Sequence, residues 1–146
     1  MPTRYRSTIT VEGTKFDAVW ASVKFFTHKD KAGLPEMGGV QTAIRACVNL
    51  DDETNLPHAT LKKLFDLANV VTRDKIKDIK IEFWKDDAHQ NAVCSYSLKG
   101  WIAGFETTSN PPAEEGGPGP HLNHVLMLDI EPALNPQSIK EIKMGN

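Results

Sequence analysis

The chain has 146 residues, 40% of them hydrophobic and 25% charged, and its 17 basic and 19 acidic side chains leave a formal charge of -2. A chain of this size can close around one core without disulfides or a structural metal, so disordered, collagen-like and disulfide-framework classes are excluded. The balanced charge also excludes a phosphate-coating nucleic-acid binder, which needs a concentrated basic surface; no basic run here exceeds Lys62-Lys63.

From Tyr5 to Val11, apolar or small residues alternate with Arg6, Thr8 and Thr10, which predicts a strand, and Glu12-Gly13-Thr14 predicts a turn. Lys15 to His28 reads as one long second strand with apolar residues on both phases: Phe16, Ala18 and Trp20 on one, Val19, Ala21, Val23 and Phe25 on the other. A strand apolar on both faces needs cover on both, by its own domain and by another subunit. Lys29 to Val40, with three glycines and a proline, reads as an exposed loop of a length that often serves a contact. Gln41 to Leu50 is a third strand, closed by Asp51-Asp52-Glu53.

His58 to Val70 reads as the single helix, because Leu61, Leu64, Phe65 and Ala68 fall on one stripe; Asn55 and Pro57 are its start signals. Lys75 to Lys85 alternates, with Ile79, Ile81 and Phe83 on one face. Asp86 to Asn91 is a hairpin, and the return strand runs through Tyr96 and Leu98 to Phe105 with an expected phase switch at Gly100. Asn110 to Pro120 is a Pro/Gly-rich loop within the domain, Asn123 to Glu131 a last strand, and 135–146 a basic-leaning tail. The order gives a mainly β, small antiparallel barrel or sandwich with one flanking helix, read as a single domain over 1–146 with its core at about 5–134.

The candidate chemistry is sparse. His121 and His124 with Asp129 straddle a strand entry, where residues three apart face opposite ways, so no metal site is expected. Asp86, Asp87 and His89 share a hairpin and are the only grouping that suits acid–base hydrolysis; a solvated turn is the simpler reading. Asp51-Asp52-Glu53 lacks a calcium-loop pattern, and no GxSxG, HExxH or GxGxxG run is present. Cys47 and Cys94 read as free, buried or half-buried thiols. Neither an enzyme nor a cofactor is expected. The rings of Trp20, Phe25, Phe26, Phe83, Trp84, Trp101 and Phe105 leave open a small barrel that binds an apolar ligand. No apolar run is long enough for a membrane span, and none follows Met1–Arg6 as a secretory leader would require.

The order of features resembles the haemolysin-coregulated protein (Hcp, or TssD) family, the tube proteins of type VI secretion systems. The resemblance rests on the long strand Lys15–His28 and the extended segment Lys29–Val40, and on the lone helix with Leu64-Phe65-Asp66. It continues in Ile79-Lys80-Ile81-Glu82-Phe83-Trp84-Lys85, in Tyr96-Ser97-Leu98-Lys99-Gly100-Trp101-Ile102-Ala103-Gly104-Phe105, and in Asn123–Glu131. It covers about Ser7 to Ala133. It implies a barrel with one helix, six copies closing into a ring, and rings stacking into a hollow tube that carries effector proteins. Sheath and spike or baseplate proteins would be its partners, and the chain would move from the cytoplasm to the outside without a cleaved leader. The family's contact loop maps onto Lys29, Asp30, Lys31, Leu34, Pro35, Glu36 and Met37. The short chain and the loop Asn110–Pro120 leave open a related tube from a phage tail or an extracellular contractile injection system.

Overall fold

The computed structural model describes residues 5–29, 31–69, 72–109, 123–133 and 139–144. Over these the chain is mainly β, with eight strands and one α-helix. Strand β1 (Ser7–Val11) turns through Glu12 and Gly13 into β2 (Thr14–Ala18). Both turn residues have positive φ, 50° and 81°, the geometry of a tight hairpin whose twist matches its strands. After Val19 the chain resumes as β3 (Trp20–Lys29), then β4 (Pro35–Asn49), helix α1 (His58–Ala68) and β5 (Lys77–Trp84). Strands β6 (Ala92–Ser109), β7 (His124–Pro132) and β8 (Ile139–Met144) complete it.

The strands pair antiparallel in the order β2-β1-β5-β6-β7-β4-β3. Because β2 and β3 are consecutive, the two ends of this path meet at Val19, whose N–H donates to the Cys47 carbonyl at 2.7 Å. The sheet therefore closes on itself. Two long strands turn its corners: β2–β3 at Val19 and β6 at Gly100, which is paired with both Lys77 and Pro132. A Cβ at Gly100 would lie 2.6 Å from the Glu131 carbonyl oxygen, so only glycine lets the strands approach this closely. Each half of the barrel then has its own wall, β2-β1-β5 with the first half of β6, and the second half of β6 with β7-β4-β3.

Several expectations are corrected by this arrangement. Lys15–His28 is two strands, and its two apolar phases reflect the bend: Phe16 and Ala18 are buried before Val19, Ala21 and Val23 pack on the core after it. The double phase thus needs no second subunit to explain it. The phase of β6 holds through Gly100, with Tyr96, Leu98 and Ile102 all buried, and switches at Ala103, where the register slips between Ile102 and Gly104. The supposed loop Lys29–Val40 is strand from Pro35 onward, paired Lys29↔Pro35 and Thr27↔Val40. The supposed tail contains β8, which bonds to Cys94–Leu98 of β6, next along the edge that β7 uses; the Ala133 N–H donates to the Lys99 carbonyl at the junction. The apolar spacing Ile139, Ile142, Met144 hid this strand, because it fits period two only with the register shift found between Ser97 and Leu98. The predicted loop Asn110–Pro120 lies outside the described residues.

The interior is filled by Ile9, Val11, Phe16, Ile44, Val48, Ile79, Ile81, Leu98, Ile102, Leu126, Leu128 and Ile130. Helix α1 closes one side with Leu64 and Leu67, each worth about 1.5–3 kcal/mol when fully buried. The stripe is rotated from the predicted one: Leu67 is in, and Phe65 is 48% exposed. Pro57 stands at the N-cap with no side-chain cap bond, its carbonyl accepting from Leu61. Asn55 is not a cap. Its amide donates to the Asp17 carbonyl at 2.7 Å and its side-chain oxygen accepts the Asp17 N–H at 2.7 Å, replacing a neighbouring strand along β2.

Candidate subunit interface

The ladder between β4 and β7 ends at the pair Ile44↔Ile130, whereas that between β3 and β4 continues beyond it to Lys29↔Pro35. The outer part of this hairpin is therefore a two-stranded arm past the barrel rim. An isolated two-stranded ribbon is marginal in water and presents backbone donors and acceptors along its edges. At the arm's base Phe25, on the core-facing phase, lies 5.7 Å from the ring of Tyr96, which meets Phe83 edge-on at 6.2 Å. Burial, with a hydrogen bond involving Cys94, raises the Tyr96 phenol above its ordinary value. On the outer phase Lys24 Nζ sits 5.3 Å over the Phe26 ring. The tip turns through residues 31–34, with Gly33 at φ 84° supplying a conformation that side chains rarely adopt.

Of the predicted contact residues, Lys29 ends β3 and is exposed, and Lys31 and Leu34 are exposed in the turn, Leu34 at 62%. Pro35, Glu36 and Met37 open β4, and Asp30 lies outside the described residues. The hairpin thus brings the six described positions to one projecting tip.

Two further features were missed in the sequence. Among the described residues, Ala21–Phe25 of β3 has strand partners only from β4, and Trp101–Ser109 of β6 only from β7. The wall β6-β7-β4-β3 consequently has an open edge at each end. On its outer face Lys24 is exposed at the β3 edge and Glu106 at the β6 edge. Between them Arg45 Nε bonds Asp129 Oδ1 at 2.8 Å, and the Asp129 carboxylate lies over Gly104, where a Cβ would be 2.8 Å from Oδ2. Glycine at 104 signals that close approach; nothing in a linear pattern marks a strand as an edge.

The alternative chemical groupings have structural uses. Asp86 accepts from the N–H groups of Gln90 and Asn91 at 3.1 and 3.3 Å. Partial burial would raise its pKa, but these bonds together hold the carboxyl below its usual value of 3.8. Asp87 pairs with Arg6 at 2.6 Å. His89, at φ 56°, stacks on Trp84 with centroids 5.1 Å apart and donates from Nε2 to the Tyr5 carbonyl at 2.6 Å. All three fasten one turn. His124 pairs with Asp51 at 3.0 Å and Asp129 with Arg45 at 2.8 Å; His121 lies outside the described residues. No group of three or more His, Cys, Asp or Glu side chains suited to a metal ion occurs among the described residues. Cys47 is buried and Cys94 half-buried, both as thiols. Ile81, Leu98, Leu128 and Ile130 pack together in the barrel interior. A shallow, open hollow of about 210 Å³ lies by Thr10, Gly13, Asp78 and Lys80. Among the described residues no helix is long and apolar enough to cross a membrane.

Two of the solved structures that share this architecture show the likeness. One is Hcp1 from Flavobacterium johnsoniae, at 13% identity and TM-score 0.58, covering 88% of this chain and 90% of that one. The other is a crystal structure of an Hcp protein, at 12% identity and TM-score 0.57, covering 87% and 86%. The fold is Hcp-like. No family model matches the sequence, and no curated protein matches it. At such identity the likeness carries the fold and leaves the chemistry of the surface to this chain's own residues.

Proposed function

We propose that this chain is a structural, non-enzymatic tube subunit that assembles with copies of itself into six-membered rings. The rings stack into a hollow tube of a type VI-like secretion apparatus, move effector proteins within it, and leave the cell with it. The observation that carries the reading is the wall β6-β7-β4-β3 with an open edge at each end. Two different edges on one chain make a head-to-tail joint, and such a joint closes into a ring when the rotation allows. Joining the β3 edge of one copy to the second half of β6 in the next supplies backbone partners for both and sets Lys24 and Glu106, of opposite charge, on the same outer face. The projecting arm, with Lys29–Met37 at its tip, then reaches a further copy in the neighbouring ring.

The test is assembly. Negative-stain images should show rings, and light scattering a species about six times the 16.2 kDa chain mass. Lys24→Glu and Glu106→Lys should each weaken ring formation, and the double variant should restore it. A monomer at every concentration, with no rings in the images, would discard the reading.

A further inference from the structure

Both open edges of the wall β6-β7-β4-β3 carry aromatic rings on their core side. On β3 the core phase runs through Ala21 and Val23 to Phe25, which meets Tyr96 and stays 38% exposed. On β6 Phe105 pairs with Leu128, packs partly buried against the core, and meets the Phe65 ring of α1 edge-on at 5.5 Å. Phe65 is 48% exposed. Among the described residues four large apolar side chains are exposed, and two of them, Phe25 and Phe65, stand at opposite ends of this wall. The four strands alternate in direction, and four is an even number. Copies related by rotation about one axis therefore bring β3 of one antiparallel to β6 of the next, with both core sides on the same face. In an antiparallel ladder one step forward along β3 is one step back along β6. Setting Lys24 opposite Glu106 on the outer face thus sets Phe25 opposite Phe105 on the core side, beside Phe65. A slip of one residue would oppose core-side to outer side chains. A slip of two sets Lys24 against Thr108 or Gly104 and takes Phe25 off Phe105. The irregularity in β6 lies between Ile102 and Gly104, outside the pairs used.

We propose that copies of this chain join in this one register, with Lys24 opposite Glu106 on one face and Phe25 seated on Phe105 and Phe65 of the next copy on the other. This rests on the proposed ring, and it adds the register of the joint and the occupant of the Phe65–Phe105 ledge, which is β3 of a second copy. The charge complementarity of the two edges selects that occupant: the pairing that brings the opposite charges together also covers the exposed rings. The two contacts divide the work. An exposed ion pair discriminates between registers but contributes little to affinity, whereas stacked rings supply apolar burial that salt does not screen.

Disulfide trapping reads the register while leaving both contacts intact. The proposed pairing sets Ser22 opposite Thr108. Within one chain these strands are three spacings apart, about 14 Å and beyond the reach of a disulfide, so a bond between cysteines at the two positions joins two copies. Under a mild oxidant, Ser22→Cys/Thr108→Cys should give a ladder of covalent oligomers ending at six chains on a non-reducing gel. The pairs Ala21→Cys/Thr107→Cys and Val23→Cys/Ser109→Cys, which are opposite only after a slip of two, should give roughly tenfold less product. Single variants should give no more than Cys47 and Cys94 do in the wild type. Equal or greater trapping at a slipped pair overturns the proposal, as does a Ser22→Cys/Thr108→Cys variant that forms rings in images but no ladder. If that variant forms no rings, Phe65→Ala decides. It should raise the protein concentration needed for rings by roughly three- to tenfold in light scattering, while Val93→Ala, a comparably exposed residue away from the joint, leaves it unchanged. Ring formation by Phe65→Ala at the wild-type concentration overturns the proposal. A wild-type chain that forms no rings removes the tube reading, and this register with it.

Discussion

Among the described residues, the turn of the β5–β6 hairpin and the β3–β4 arm are held differently. The β5–β6 turn at Asp86–Asn91 is fastened by neighbours from elsewhere in the chain: Arg6 on Asp87 and on the Lys85 carbonyl, the Tyr5 carbonyl on His89, and Trp84 stacked beneath His89. Trp84 in turn donates to Thr8 at 2.9 Å, and Thr8 donates to Asp17 at 2.7 Å, so the fastening runs back across β1 to β2. In the β3–β4 arm the Phe25 ring meets Tyr96 at the base, and past Ile44 the hairpin has no third strand among the described residues. A turn with many distant partners is part of the body; a two-stranded arm with open edges is suited to a partner outside the chain.

Substitutions that sharpen this contrast fall in order of size. Ile81→Ala, in the fully buried middle of β5, should cost about 2–5 kcal/mol by cavity formation, read as a lowered denaturant midpoint. Leu34→Ala at the arm's tip should stay within roughly 0.5 kcal/mol of the wild type in the same measurement. A comparable cost at both sites would erase the distinction between body and arm. Gly100→Ala comes next, at about 1–3 kcal/mol, because its Cβ meets the backbone carbonyl of Glu131, which can yield only by parting β6 from β7. A wild-type thermal midpoint for this variant would show that the corner is looser than its geometry.

The smallest effect is a pH dependence at the fastened turn. The Asp86 pKa is lower folded than its usual 3.8, so the folded state is favoured by this group above that value, and the contribution is lost as pH falls through the lower folded pKa. Exchange of the Gln90 and Asn91 amides should quicken below about pH 3.8 in the wild type. Asp86→Asn should show a flatter response, and identical pH profiles would assign the fastening to Arg6 and His89 instead.

Much of the fold was legible because the responsible forces are local. Alternation at Ile79, Ile81 and Phe83, the Glu12-Gly13 turn and the helical stripe at Leu61 and Leu64 each report which side of an element faces the core. The arm's extent was not legible, because Pro35–Val40 is rich in glycine and becomes strand only by pairing with β3. Strand β8 was missed for the related reason that its register shift breaks the period on which the reading depends. At the candidate interface, the proposed contact residues Lys29, Asp30, Lys31, Leu34, Pro35, Glu36 and Met37 come from the resemblance, whereas the edge residues Lys24 and Glu106 needed the register of the strands.

The amino-acid sequence by itself determined a mainly β chain with one helix, a balanced charge and no assembled catalytic motif, since composition and period are properties of neighbours along the chain. Only the tertiary structure decided that the strands close at Val19 and Gly100, that among the described residues the wall β6-β7-β4-β3 keeps two open edges, and that the β3–β4 hairpin runs past its last β7 partner. Those are relations between residues far apart in sequence, set by which backbone groups find partners when the sheet curls, and no local pattern encodes them.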